Sequence, residues 1–244
     1  MSLAEESLRL AAGAWRIYIR DLAGREIAEQ PGLSICWGDS ALAFYNAIFL
    51  APGAASPEAR EFMASRRTEG YLWVCDRELS GEFEPEFALT GMAADHIMPA
   101  VRALPGADIR PVCNQNTARA IADLNSHAYG TDAGPGRDAF AKPGPWDEKA
   151  WGYVAFAGDR PVASAAVFAI DGCLYLALVA TEPEAQRQGY AEAVVRHAFR
   201  EASAATGLSH MSLHATADGW PIYRRMGFHD TAKLTAHRLA RPSH

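Results

Sequence analysis

The residues best placed to do chemistry lie in one run, Val179-Ala180-Thr181-Glu182-Pro183-Glu184-Ala185-Gln186-Arg187-Gln188-Gly189-Tyr190-Ala191. An apolar stretch ends there, a short loop turns, and an amphipathic helix begins. Amides in the first turn of a helix have no acceptor inside it. Together with the helix dipole they form a site for an anion such as a pyrophosphate. Gly189 carries no Cβ and lets phosphate oxygens approach the backbone closely, while Arg187 adds a cation at the rim. Taken out of this context, Gly189 also reads as an ordinary flexible loop glycine. Glu182 and Glu184 read as charges at a helix start rather than as bases.

The elements that must hold this run are clear in the C-terminal half. Trp151 to Ala157, Val162 to Ile170 and Cys173 to Ala180 are predicted strands separated by Gly158-Asp159-Arg160 and Asp171-Gly172 turns. The third, CLYLALVA, is apolar throughout, as a strand covered on both faces must be. Gln188 to Thr206 is a predicted helix with Ala191, Val194, Val195, Ala198, Ala202 and Ala205 on one stripe. Glu192 and Arg196 on its other face form an i, i+4 pair, and Gly207 ends it in a left-handed C-cap. Leu208 to Ala215 is a strand, Gly219 to Met226 a short helix and Phe228 to Leu239 a last strand. Ahead of these, Ile109 to Val112 starts a strand and Thr117 to Ala128 a helix, while Gly130 to Trp146 reads as a long loop.

In the N-terminal half, Leu8 to Leu22 has a helical pattern, and apolar runs cover Leu33 to Trp37 and Ala41 to Leu50. Ser56 and Pro57 are placed to cap and open a helix over Ser56 to Arg67, with strands at Tyr71 to Cys75 and Phe87 to Ala94. Leu104-Pro105-Gly106 is a joint, which predicts an N-terminal α/β domain over 1–107 and a second domain over 108–244.

Composition narrows the function classes. A charge of −6 over 244 residues argues against broad nucleic-acid binding, which wants a basic face. No stretch approaches the length of a membrane helix, and the N-terminus lacks an apolar signal-peptide core, so a cytoplasmic protein is expected. Cys36, Cys75, Cys113 and Cys173 show neither a CxxC pair nor a histidine partner, so no metal is expected and all four read as small buried hydrophobes.

The run VATEPEAQRQGYA resembles the acyl-CoA-binding segment of the GCN5-related N-acetyltransferases (GNAT), whose core pattern is Gln/Arg-x-x-Gly-x-Gly/Ala. Here it stands as Gln186-Arg187-Gln188-Gly189-Tyr190-Ala191. A second stretch, Trp220-Pro221-Ile222-Tyr223-Arg224-Arg225-Met226-Gly227-Phe228, resembles the family's Tyr-x-x-x-Gly-Phe element. The residue after Gln186 is usually Gly in the family; Arg187 fits there with helical or extended dihedrals.

The resemblance implies an α/β (α+β) fold of the GNAT type, a mixed and mostly antiparallel sheet flanked by helices, and acetyl-CoA as cosubstrate. Backbone groups along Val179, Ala180 and Thr181 would hydrogen-bond the pantetheine arm. Amides of Gln186, Arg187, Gln188, Gly189, Tyr190 and Ala191 would hold the pyrophosphate. Tyr223 would sit near the thioester sulfur and protonate the departing thiolate, or else serve core packing beside Met226 and Phe228. The acceptor would be a primary amine of a small molecule or peptide, attacking the acetyl carbonyl directly, which needs positioning and a polarised carbonyl.

The acceptor side is less defined. On Leu208 to Ala215, His210, Ser212 and His214 share one face and Met211 and Leu213 the other. If that polar face opens on the acceptor cleft, His214 is a base with a suitable unperturbed pKa of about 6.5; otherwise it is a half-exposed sheet histidine. Asn125 and Tyr129 either line the acceptor site or fill surface and core. The N-terminal half repeats the order strand, helix, strand, strand, and reads as a degenerate GNAT-like copy that packs, shapes the cleft or makes a homodimer contact. A non-catalytic acyl-CoA-binding sensor is the alternative to an enzyme.

Overall fold

The computed structural model describes residues 2–77, 79, 81 and 83–239. The chain runs α1 (Leu3–Tyr18), β1 (Glu26–Gln30), β2 (Leu33–Trp37), β3 (Asn46–Leu50), α2 (Pro57–Ala64), β4 (Tyr71–Cys75) and β5 (Phe83–Ala94). It continues with β6 (Asp108–Pro111), α3 (Gln115–Ala128), α4 (Ala133–Phe140), β7 (Ala150–Ala157), β8 (Arg160–Ile170) and β9 (Cys173–Thr181). The last elements are α5 (Tyr190–Thr206), β10 (Met211–Ala215), α6 (Trp220–Arg225) and β11 (His229–Leu239). They form two units that interleave in sequence. One contains the chain up to Met92, His214–Asp218 and the chain from Asp230 onward; the other contains Ala93–Leu213 and Gly219–His229.

In the first unit the strand order is β1-β2-β3-β4-β11-β5. β1, β2 and β3 are antiparallel, β3 and β4 are parallel with α2 as their crossover, and β11 is antiparallel to β4. Every residue of β3 is buried, because both of its faces are covered. Ile48 and Leu50 join Ala59 and Met63 of α2 in one core, while Phe49 points the other way and meets Trp15 of α1 at 5.4 Å. α1 starts at Leu3, earlier than its apolar pattern suggested, because Ser2 and Glu5 close a capping box. Ser56 makes no side-chain cap to α2, although Pro57 does open it. The short hairpin strand β1 has too little apolar content to stand out in the sequence.

The second unit has strands in the order β10-β9-β8-β7-β6, antiparallel except for the parallel β9–β10 pair that α5 connects. The result is a mixed sheet flanked by helices, as the resemblance implied. One expectation fails here. The stretch predicted as loop from Gly130 to Trp146 contains α4. Asp132 caps it, Pro135 falls in its first turn, and Gly136 allows close contact with α3, since a Cβ there would lie 2.6 Å from Ser126 Oγ. Arg137 then grips Asp123 with Nε and Nη2 at 2.6 and 2.9 Å. Packing thus makes a helix of a glycine-rich segment. Cys36, Cys75 and Cys173 are buried as expected, but Cys113 is exposed. Among the described residues no helix is long and apolar enough to cross a membrane.

His214, in the first unit, hydrogen-bonds Ser7 of α1 through Nε2 at 2.7 Å. Burial pushes its pKa down to about 4, so the fold holds the imidazole neutral. Because the folded value is depressed, this neutral state stabilises the fold fully above the unfolded value of about 6.5, and the contribution is lost as pH falls towards 4. We expect stability to drop by up to about 3 kcal/mol over that interval. His214→Gln, which keeps a polar partner for Ser7, should flatten the slope in urea unfolding at pH 7, 6, 5 and 4; an unchanged slope would refute the assignment.

Candidate active site

β9 holds the centre of the candidate site. Between the pairs Ser164–Ala180 and Ala166–Ala177, the two residues Leu178 and Val179 stand opposite Ala165 alone. This is a β-bulge, and Leu178 takes φ +52° to make it. Its carbonyl accepts from Asn125 Nδ2 at 3.1 Å and from Ser164 Oγ at 2.9 Å. Asn125 also donates to Ser164 Oγ and to the carbonyl of Ile121. The amide expected to line the acceptor site is therefore bonded into the bulge.

On the other edge of β9, pairing with β10 covers only Leu174–Met211, Tyr175–Ser212 and Leu176–Leu213. Val179, Ala180 and Thr181 continue past the last of these pairs. A parallel pair that stops while one strand runs on leaves backbone groups for another extended partner.

The loop after β9 makes a short 3-10 turn over Pro183–Ala185, and α5 begins behind Gly189. Gly189 has φ +94°, as a residue without Cβ readily does. Its carbonyl accepts from the Ala193 amide at 3.0 Å, and no side chain caps the helix start. The first-turn amides are thus left for a ligand or water. Gln186, Arg187 and Gln188 are exposed, and Gln188 donates back to the Glu184 carbonyl at 2.7 Å. Arg187 is neither helical nor extended. Its φ of +60° is the left-handed conformation that the family's usual glycine favours.

Glu192, expected on the solvent side of α5, is 2 % exposed and binds Arg196 at 2.8 Å. Tyr223 on α6 is buried against Phe228, with ring centroids 6.1 Å apart. Burial pushes its phenol above the usual value, and the nearby Tyr129 phenol adds to the rise, so it stays protonated at neutral pH. Tyr129, the C-cap of α3, is 60 % exposed.

The face expected to carry His210, Ser212 and His214 is not an open polar strip. His210 lies outside β10 and pairs with Asp95 at 2.8 Å, and Ser212 is buried. One pair escaped the sequence: His127 Nδ1 lies 2.7 Å from Glu182 Oε2, joining the end of α3 to the residue after β9. The only signal for it was an acidic residue directly after the strand. Among the described residues no three His, Cys, Asp or Glu side chains gather as a metal site.

Residues 120–228 match the profile of the acetyltransferase (GNAT) family. No curated protein matches the chain by sequence. Among solved structures, a GCN5-related N-acetyltransferase from Kribbella flavida is similar over 99% of this chain and 97% of its own, with TM-score 0.70 and 20% identity. A GCN5-related N-acetyltransferase-like protein from Streptococcus suis is similar over 96% of this chain and 99% of its own, with TM-score 0.60 and 14% identity. A functionally unknown conserved protein from Staphylococcus epidermidis is similar over 93% and 100%, with TM-score 0.61 and 12% identity. At these identities the likeness is one of fold.

Arg187→Gly should raise stability by about 1 kcal/mol, while Gly189→Ala should cost about 1–2 kcal/mol; equal effects in urea unfolding would contradict the backbone argument. Asn125→Ala should cost about 1–3 kcal/mol by stripping the Leu178 carbonyl and Ser164 of a buried donor. A loss under 0.5 kcal/mol (roughly a surface substitution) would show that the bulge stands without it.

Proposed function

Because residues 120–228 form a domain of the acetyltransferase (GNAT) family, we propose that the protein transfers an acetyl group from acetyl-CoA to a primary amine of a small molecule or peptide by direct attack. The observation that carries this reading is the bulged β9, which runs past its partner strand into a helix with an uncapped, glycine-led start. An extended pantetheine arm fits the backbone groups of Val179, Ala180 and Thr181. Its diphosphate suits the amides from Gln186 to Ala191.

The amine nitrogen attacks the thioester carbonyl and forms the C–N bond. Collapse of the tetrahedral intermediate breaks the C–S bond, and the thiolate takes the Tyr223 proton. A phenol held protonated by burial supplies that proton at neutral pH. The His127 imidazole can take the proton of the incoming ammonium. His127 is held by Glu182, directly after the pantetheine-binding run, on the helix end that carries Tyr129. His214, the base expected from the sequence, belongs to the first unit, where Ser7 holds its Nε2 and burial depresses its basicity, so it takes no step in the proposed reaction. The half of the chain from Asp108 carries the catalysis in this proposal, and the N-terminal half supports it.

Tyr223→Phe should lower kcat at least roughly tenfold, as losing a general acid does, while the Kd for acetyl-CoA by calorimetry stays within about twofold. Turnover in the wild type with no loss in the variant would remove Tyr223 from the chemistry. Acetyl-CoA binding without turnover on any amine would favour a sensor.

A further inference from the structure

From Asp95 to Ala107 the chain has no regular structure and runs as a strap along the second unit. It is tied down at both ends. The Met98 amide donates to the Met226 carbonyl at 2.9 Å, and Gly227 makes room, since a Cβ there would lie 2.8 Å from Met98 Cγ. The Met98 carbonyl accepts from Arg196 Nη1 at 2.7 Å, and the same guanidinium is held by Glu192 at 2.8 Å. At the far end Pro105 packs on the start of α5: a Cβ on Gly189 would lie 3.0 Å from Pro105 Cδ.

Arg102 lies between these ties, with Nη2 4.0 Å from that Cβ position. It is exposed, and among the described residues no acceptor pairs with it. The Glu192 carboxylate, the nearest fixed negative charge on the first turn, is already neutralised by Arg196 through Oε1, and its Oε2 has no hydrogen-bond partner in its buried position. A free guanidinium is therefore held beside a helix start whose amides are uncapped. A guanidinium meets a phosphate with two parallel N–H donors, which a single amide cannot do.

Resting on the acetyl-CoA reading above, we propose that Arg102 is a diphosphate-binding residue of the cofactor site, delivered by the strap from outside the Gln186–Ala191 segment. Arg196 acts as its positioning residue: Glu192 fixes Arg196, Arg196 fixes the Met98 carbonyl, and the strap then holds Arg102 at Gly189.

The test is calorimetric titration of the full chain with acetyl-CoA, 3′-dephospho-CoA and inorganic pyrophosphate at two salt concentrations. Arg102→Gln should weaken all three about tenfold and flatten the salt dependence. Arg196→Lys keeps the pair with Glu192 but gives up the reach to Met98. It should weaken acetyl-CoA binding less than Arg102→Gln does, and add nothing in the Arg102→Gln background. Unchanged affinity and salt slope in Arg102→Gln would overturn the proposal. A loss for acetyl-CoA but not for 3′-dephospho-CoA would overturn the diphosphate assignment. Additive losses in the double variant would remove Arg196 from the role. Failure of the wild type to bind acetyl-CoA would sink the proposed function instead, and Arg102 would then be judged on pyrophosphate alone.

Discussion

The Leu178 carbonyl accepts hydrogen bonds from Asn125 and Ser164, and these two contacts fix the irregularity on which the second unit's candidate site depends. A regular strand paired on both edges has no backbone groups to offer a ligand. Inserting one residue against Ala165 bends β9, and the strand runs on beyond its three pairs with β10. Holding Leu178 at positive φ costs on the order of 1–2 kcal/mol, so the bulge needs a donor set to select it. Ser164 is fully buried and Asn125 reaches it from α3, which makes that helix part of the backbone geometry rather than a cover on it.

Charge is arranged around the helix start with similar economy. A carboxylate in the first turn of a helix is favoured by the dipole, and Glu192 takes that place. Left bare it would repel an anion at the same amides. Arg196 one turn later cancels it, and the pair is buried on the Glu192 side. Arg187 and Arg102 are exposed cations near the helix start. Tyr223 follows a parallel logic, since burial beside Phe228 raises its proton affinity and so secures its acid form.

Much of this was legible in the sequence wherever one periodicity governed a whole element. β2 and β4 have the bounds that their apolar runs define, and α5 ends at Gly207 in the left-handed conformation. Failures occurred where tertiary contact overrode local pattern. α4 contains Gly-Pro-Gly and is helical because Asp132 caps it and Arg137 anchors it to Asp123. The Ser2–Glu5 capping box lies ahead of the apolar stripe, so the helix starts earlier than the stripe alone implies. At the site, the helix-start pattern singled out Gly189 and the family resemblance Tyr223, but neither pointed to the His127–Glu182 pair or to the strap at Gly189, which join segments distant in sequence. Nor could spacing show that Arg187 sits at φ +60°.

The two units share a device, a parallel strand pair bridged by a helix, β3–α2–β4 in one and β9–α5–β10 in the other. Each parallel ladder has three residue pairs. What separates them is the loop into the helix. α5 opens behind a left-handed glycine, with an amide on each of Tyr190, Ala191 and Glu192, and runs 17 residues. α2 opens on Pro57, which has no N–H to donate, and runs 8 residues. Fewer donors and a shorter dipole make its start a poor anion site, and no cation follows until Arg60. The same crossover can therefore serve packing in one unit and, in the proposed function, phosphate recognition in the other, with the difference set by the residues at the helix entrance.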